Sequence, residues 1–359
     1  MALYTAPTLD RRERDVIARI DEIRAQVRFV SVESSAWAQL LVPLFLSSET
    51  SGADDAGDAA AAPRPAEPDQ AFAGYRRALE YVLSLHDDPH FVYHETLVRS
   101  LHYMTLAHDP DKFPGRWRNG TICVYGKRGT EVLYDPPPPE LVPGLMGELM
   151  TRLNEADEAP AIVRAAIAHL NLVQIHPFPD GNGRMGRALQ TLVLVRAGIL
   201  DPEFSSLEKS VARDRDRYRE SLYELGPSWN PAADARPFLR FCLTVHLHQA
   251  EQALVGARRM SATWAEAAEA ARRERLSERV TAALADAAFA GGVDAAAYRQ
   301  WARVDERTAR ADLNRLAGRG FLLRLPGRRA VYTAGPLARE IQQRVWAAEP
   351  PYQPVDPFN

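Results

Sequence analysis

Cysteine is nearly missing from this 359-residue chain, which has only Cys123 and Cys242. Two thiols inside apolar stretches cannot build a disulfide framework. They read as small buried hydrophobes in a reducing compartment, so a cytoplasmic location is expected. An excess of one charge is missing too: 44 Lys and Arg face 47 Asp and Glu, a formal net charge of −3. That balance argues against a chain built as a whole for nucleic acid or membrane, and it still permits a local basic patch. Long apolar runs are also lacking. "WAQLLVPLFL" and "LQTLVLVRAGIL" are too short or too interrupted to span a bilayer, and "MALYTAPTLDRRERD" has no signal core, so no membrane segment is expected. What remains is 46% hydrophobic and 25% charged, an ordinary soluble composition with room for more than one domain.

Periodicity divides the chain. Val16, Ile17, Ile20, Ile23 and Val27 recur at helical spacing within residues 9–30, and a second apolar helix is expected from about Ser34 to Leu46, giving an N-terminal helical region over 1–50. Residues 51–69 lose large apolar side chains and gain Ala, Asp, Gly and Pro, as a linker does. Residues 70–260 carry one apolar stripe after another at helical spacing, with one exception. "TICVYGKRGTEVLYDP", residues 121–136, holds two short β-rich runs joined by "GKRG" and stopped by four prolines, which predicts a hairpin flap. Residues 276–335 read as helix, short helix, turn, longer helix and two-stranded ribbon, the order of a winged helix-turn-helix, with 336–359 as a tail. The expected fold class is mainly α.

The densest chemistry is "HPFPDGNGRMGR", residues 176–187. Pro177 and Pro179 exclude helix interior while Gly181 and Gly183 permit a tight turn, so one helix should end near Ile175 and another begin near Asn182. A helix amino terminus beside two glycines offers backbone N–H groups and a positive dipole end to a polyanion such as a phosphate chain. Arg184 and Arg187, three residues apart, can grip the same anion. Asp180 would repel a bare phosphate unless a cation lay between them, and Mg²⁺ held by one carboxylate plus substrate phosphates is the usual arrangement. His176 opens the loop as the candidate general base. Phe178, counted with the nucleotide-binding residues, is expected to turn inward as a packing anchor.

Each piece alone is commonplace: a His before Pro usually ends a helix, and helix arginines usually face solvent. Together they match the signature His-Pro-Phe-x-Asp/Glu-Gly-Asn-Gly-Arg-x-x-Arg at every specified position, so the chain resembles the Fic family over roughly residues 35–260. The resemblance implies a protein adenylyltransferase that moves AMP from ATP to a Ser, Thr or Tyr hydroxyl of a target protein and releases pyrophosphate. It implies His176 as base, Asp180 as the Mg²⁺ ligand, Gly181, Asn182 and Gly183 on phosphate, Arg184 and Arg187 on the β and γ phosphates, and the flap as a strand-addition surface for the target. Two positions depart from the pattern. The family's self-inhibitory motif Ser/Thr-x-x-x-Glu-Gly/Asn has its counterpart in "SSETSG", residues 47–52, with Ser51 in place of the glutamate and Glu49 two residues early. Beside the nucleotide base, where relatives carry Asn and a Tyr pair, stand Asp214 and a single Tyr218 followed by Arg219. Base preference is therefore open.

Other candidates carry less. His86, His90 and His94 are spaced by four, but Pro89 breaks the helix a metal site would need, so surface histidines are expected. His246 and His248 face different ways. Arg307, Arg310 and Arg315, with Arg324, Arg328 and Arg329 on the ribbon, form a basic surface suited to a DNA backbone, against Asp305, Glu306 and Asp312 on the same helix. Three readings remain: adenylyl transfer, a Fic-type transfer from another phosphate-containing donor, and a nucleotide-sensing DNA-binding regulator. ATP, a protein target, DNA and a second copy of the chain are the candidate partners.

Overall fold

The computed structural model describes residues 2–33, 67–125, 132–325 and 331–359. It divides into two units, 1–20 with 44–249 and 356–359, and 21–43 with 250–355. Both are dominated by helix. The expected helix over 34–46, Glu49 and Ser51, most of the linker, the "GKRG" turn, Arg328 and Arg329 lie outside the described residues.

Helix α1 (Arg11–Glu33) follows an extended start and has its first ten residues in the first unit. Next come α2 (Glu67–Ser84), so helix begins within the end of the expected linker, and α3 (Glu95–Leu106), capped by His94 Nδ1 accepting from the Thr96 N–H. Strands β1 (Val124–Tyr125) and β2 (Val132–Tyr134) pair antiparallel at the expected flap. After the prolines follow α4 (Val142–Asn154), α5 (Ala161–Ile175) and α6 (Asn182–Arg196). Helices α5 and α6 are buried on nearly every side, and on α6 the buried positions include Arg184, Arg187 and Gln190. Gly186 lets them meet closely, because a Cβ there would stand 2.5 Å from the His169 ring and 2.6 Å from a Val173 methyl. The extended start is tied to α5 by Asn171, whose side-chain amide accepts from the Tyr4 N–H at 2.9 Å and donates to the Tyr4 carbonyl at 3.0 Å. Short helices α7 (Pro202–Ser205), α8 (Glu208–Arg213) and α9 (Arg215–Tyr223) precede α10 (Arg236–Arg273).

The second unit holds α11 (Thr281–Ala290), β3 (Gly292–Val293), α12 (Ala295–Ala302), α13 (Glu306–Gly318), β4 (Leu322–Leu325), β5 (Val331–Ala334) and α14 (Pro336–Ala348). Its antiparallel sheet runs β3-β5-β4, with Leu322 opposite Ala334 and Leu325 opposite Val331. Leu284, Leu313, Leu316, Phe321, Tyr332 and Ile341 fill the core. Asp312 is buried there. It accepts two bonds from the Arg279 guanidinium and one from the Tyr298 hydroxyl.

Two expectations need correcting. Residues 336–348 are not tail but helix: Pro336 starts α14 at a position that needs no N–H partner, and Ala338, Ile341 and Val345 bury one face. Cys242 is buried as expected, whereas Cys123 is half-buried beside Asp135 at the flap. Among the described residues no helix is long and apolar enough to cross a membrane.

Candidate active site

The motif loop joins α5 to α6. His176 terminates α5 in the left-handed conformation, φ 52°, with its N–H on the Leu172 carbonyl. That fold-back brings its ring over the last helical turn, where Nδ1 lies 3.1 Å from the Val173 carbonyl. A carbonyl only accepts, so this contact puts a proton on Nδ1, and the tautomer it selects carries its lone pair on Nε2. Gly181, φ 78°, supplies the left-handed turn into α6, with no side chain capping the helix there.

The loop is braced from behind. Phe178 is fully buried, stacked on His102 with ring centroids 3.7 Å apart and against Trp117 at 4.8 Å. It is a packing anchor, and its place among the nucleotide contacts is corrected: a ring held between two others has no face left for a ligand. The Asn182 side chain braces the loop as well. It accepts from the Phe178 N–H at 2.9 Å and donates to the Phe178 carbonyl at 2.8 Å, so it closes the loop on itself and leaves anion contact to backbone groups. His102 accepts from the Gly115 N–H at Nδ1 and donates from Nε2 to the Asp180 carbonyl at 3.0 Å. Burial pushes its pKa down to about 4, so it works as a neutral bridge.

Asp180 faces the anion end of the loop. Its Oδ1 accepts from the Gly181 N–H at 2.6 Å and its Oδ2 lies 2.9 Å from Lys112 Nζ. Among the described residues no three His, Cys, Asp or Glu converge on a metal. The fit to Mg²⁺ is therefore that of a single hard oxygen donor, sufficient where phosphates and water complete the shell, with Lys112 competing for the same oxygen.

Arg184 and Arg187 lie on α6, 7% and 4% exposed. Arg187 Nε donates to both oxygens of Glu208, each at 2.8 Å, and Tyr75 donates to the same carboxylate. Among the described residues, a carboxylate on the second motif arginine thus comes from α8, downstream of the motif. Asp214 and Tyr218 lie at α9. Asp214 caps α9 by accepting from the Arg217 N–H. Four residues on, Tyr218 points inward and donates to His169, which donates to Gln190, which donates to His246. Asp214 is thus a helix cap and Tyr218 a largely buried partner of His169. His86, His90 and His94 are exposed.

Sequence reasoning missed Tyr75, His102, Lys112, Arg118 and Glu208. None belongs to the motif, and each reaches it only through the tertiary fold. A buried polar position on an otherwise apolar helix face, as at His102 in α3, was the one available signal.

Residues 92–194 match the Fic/DOC family model. The chain carries a Fic domain. It is 33% identical over 103 residues to a probable protein adenylyltransferase of Aquifex aeolicus, covering 29% of this chain and 31% of that protein. It is 34% identical over 166 residues to protein adenylyltransferase fic-1 of Caenorhabditis elegans, covering 46% of this chain and 29% of that protein. The chain thus spans less than a third of these curated relatives. The fold resembles a Fic family protein from Desulfovibrio desulfuricans, TM-score 0.54 and 22% identity over 93% of this chain and 99% of that one. It also resembles a Fic domain containing signaling protein from Bacteroides thetaiotaomicron, TM-score 0.52 and 20% identity over 67% and 96%. The Fic fold of the helical unit follows from these likenesses.

Proposed function

We propose that the Fic domain is a protein adenylyltransferase site. The observation that carries the reading is His176: its Nδ1 is bonded to the Val173 carbonyl, which makes Nε2 the basic nitrogen, and it stands at the mouth of a loop that ends in a helix amino terminus. The relatives named protein adenylyltransferase support it. In the reaction, Nε2 takes the proton of a target hydroxyl as its oxygen attacks the α-phosphorus of ATP. The bond from that phosphorus to the bridging oxygen breaks, and pyrophosphate leaves with the electron pair. The α6 terminus, Arg184 and Arg187 hold the departing phosphates, and the β1–β2 flap aligns the target segment by strand addition. Mg²⁺ at Asp180, when bound, would neutralise phosphate charge. The site contributes positioning and charge stabilisation, the two demands of phosphoryl chemistry. Free thiols at Cys123 and Cys242 fit a reducing, cytoplasmic setting.

The donor is tested with ATP labelled at the α or the γ phosphate. Adenylyl transfer expects protein label from the α position alone, with labelled pyrophosphate released from the γ position. Label from γ on protein would move the reaction to phosphate transfer, and no protein label from either would remove the reading.

One observation favours a second activity in the other unit. Asp312, the acidic residue in the middle of α13, is buried on Arg279, while Arg307, Arg310, Arg315 and, on β4, Arg324 are exposed. With that carboxylate withdrawn, the exposed side of α13 is basic beyond its first turn. This supports the winged helix-turn-helix reading, with duplex DNA as partner.

A further inference from the structure

Arg118 precedes the flap and is 4% exposed. A guanidinium carries five N–H donors in a rigid fork. Here Nε donates to the His176 carbonyl at 2.8 Å, one terminal nitrogen to the Gly120 carbonyl at 3.2 Å, and the other to the carbonyls of Pro137 and, at 3.4 Å, Ile175. Its backbone N–H donates to the Pro177 carbonyl at 2.9 Å. One residue thus holds three consecutive carbonyls, 175 to 177, around the candidate base.

No carboxylate among the described residues forms an ion pair with Arg118; its partners are carbonyls. A buried cation without a counter-ion is costly, and an apolar side chain would fill the space more cheaply. What offsets the cost is its place at the carboxyl end of α5, where the last carbonyls lack helical partners and carry partial negative charge. His176, for its part, holds a left-handed backbone that costs a non-glycine residue on the order of 1–2 kcal/mol. The Nδ1 contact with Val173 exists only in that fold-back. Whatever pins the carbonyls beside His176 therefore selects the tautomer of its ring. Gly120 and Pro137 lie just outside β1 and β2, so the same guanidinium ties both ends of the flap to the loop.

We infer that Arg118 is a positioning residue for the proposed transfer, clamping the backbone at His176 so that Nε2 is presented as the base and coupling that geometry to the flap that would carry the target. The inference rests on the adenylyltransferase reading. Lysine cannot substitute, because one tetrahedral ammonium cannot span carbonyls on both sides of the fork.

The test uses full-length Arg118→Ala and Arg118→Lys, with the thermal melt of each followed by circular dichroism; should the alanine variant fail to fold, the lysine variant carries the test. Long-range ¹H–¹⁵N correlations of the His176 imidazole, assigned by their loss in His176→Gln, are expected to show the Nδ1–H tautomer in the wild type and a mixture with Nε2–H in Arg118→Lys. In the same variant kcat is expected to fall about 10- to 100-fold while KM for ATP stays within about threefold. A lysine variant with the wild-type tautomer and wild-type kcat would overturn the clamp, as would a loss carried entirely by KM for ATP. If the wild type transfers no AMP, the functional reading fails, and the tautomer comparison alone still decides whether Arg118 sets the ring.

Discussion

Arginine serves opposite purposes in the two units. In the first, Arg118, Arg184 and Arg187 are each at most 7% exposed, and Arg118 and Arg187 are bonded to groups that fix their direction. In the second, Arg307, Arg310 and Arg315 stand on an exposed helix face, and the carboxylate that might have met them, Asp312, is turned inward to Arg279. A buried guanidinium in a fixed setting can act on one ligand atom at one position. An exposed row acts through summed charge, tolerant of where a backbone phosphate lies. The difference is the one that the proposed transfer site and the proposed DNA surface would each need.

The comparison is most easily broken at Glu208. Glu208→Ala takes from the buried Arg187 the carboxylate that accepts twice from its Nε, with an expected loss of about 3–5 kcal/mol in urea unfolding. The matching change in the second unit, Glu266→Ala, takes away a partner of Arg344 in a pair that is 51% and 41% exposed, and should cost less than about 1 kcal/mol. Equal losses would show that the two settings do not differ in the way described.

Acid sharpens the contrast. All nine histidines lie at or before residue 248, so the second unit has none. Burial pushes His102 down to about 4, His169 to about 3 and His246 to about 4 in the folded protein, against an unfolded value near 6.5. The unfolded chain therefore takes up these protons first. Their contribution is intact above about pH 6.5 and is lost as pH falls towards 4, on the order of 2 kcal/mol for each by pH 5. Segment-resolved hydrogen exchange, corrected for intrinsic rates, should show residues 95–106 and 161–196 losing protection between pH 7 and 5 while 281–316 hold. Uniform loss across both units would contradict this.

The smallest effect is expected at the exposed face. Replacing Arg307, Arg310 and Arg315 together by alanine should weaken duplex DNA binding about tenfold and reduce the slope of log affinity against log salt by about 3, while leaving the thermal melt unchanged. An unchanged slope would remove DNA as the partner.

The sequence made one part of the site legible and left another hidden. The placement of His176, Asp180, Arg184 and Arg187 around a helix start was readable because it follows from residue type at fixed spacing. The end of α5 before His176-Pro177 and the start of α6 at Gly181 were readable for the same local reason. Phe178 and Asn182 sit in the same motif, yet their side chains serve the loop rather than the ligand, a distinction that depends on what lies behind them. Arg118, His102 and Glu208 reach the loop from 58, 78 and 21 residues away along the chain, and no periodicity links such partners. The bond from Tyr218 to His169 was not readable either, since position in a pattern does not give direction in space. Helix α14 was missed because its apolar residues follow a Gly-Pro pair that reads as a break, when Pro336 begins the helix.

The central claim, that His176 acts as the base for AMP transfer, is tested most directly by comparing wild type and His176→Ala at equal concentration with α-labelled ATP, Mg²⁺ and a cell lysate as acceptor. The account predicts protein labelling by the wild type and a loss of about 10²–10⁴-fold in the variant, with binding of a non-hydrolysable ATP analogue retained. Equal labelling by the two proteins would contradict it.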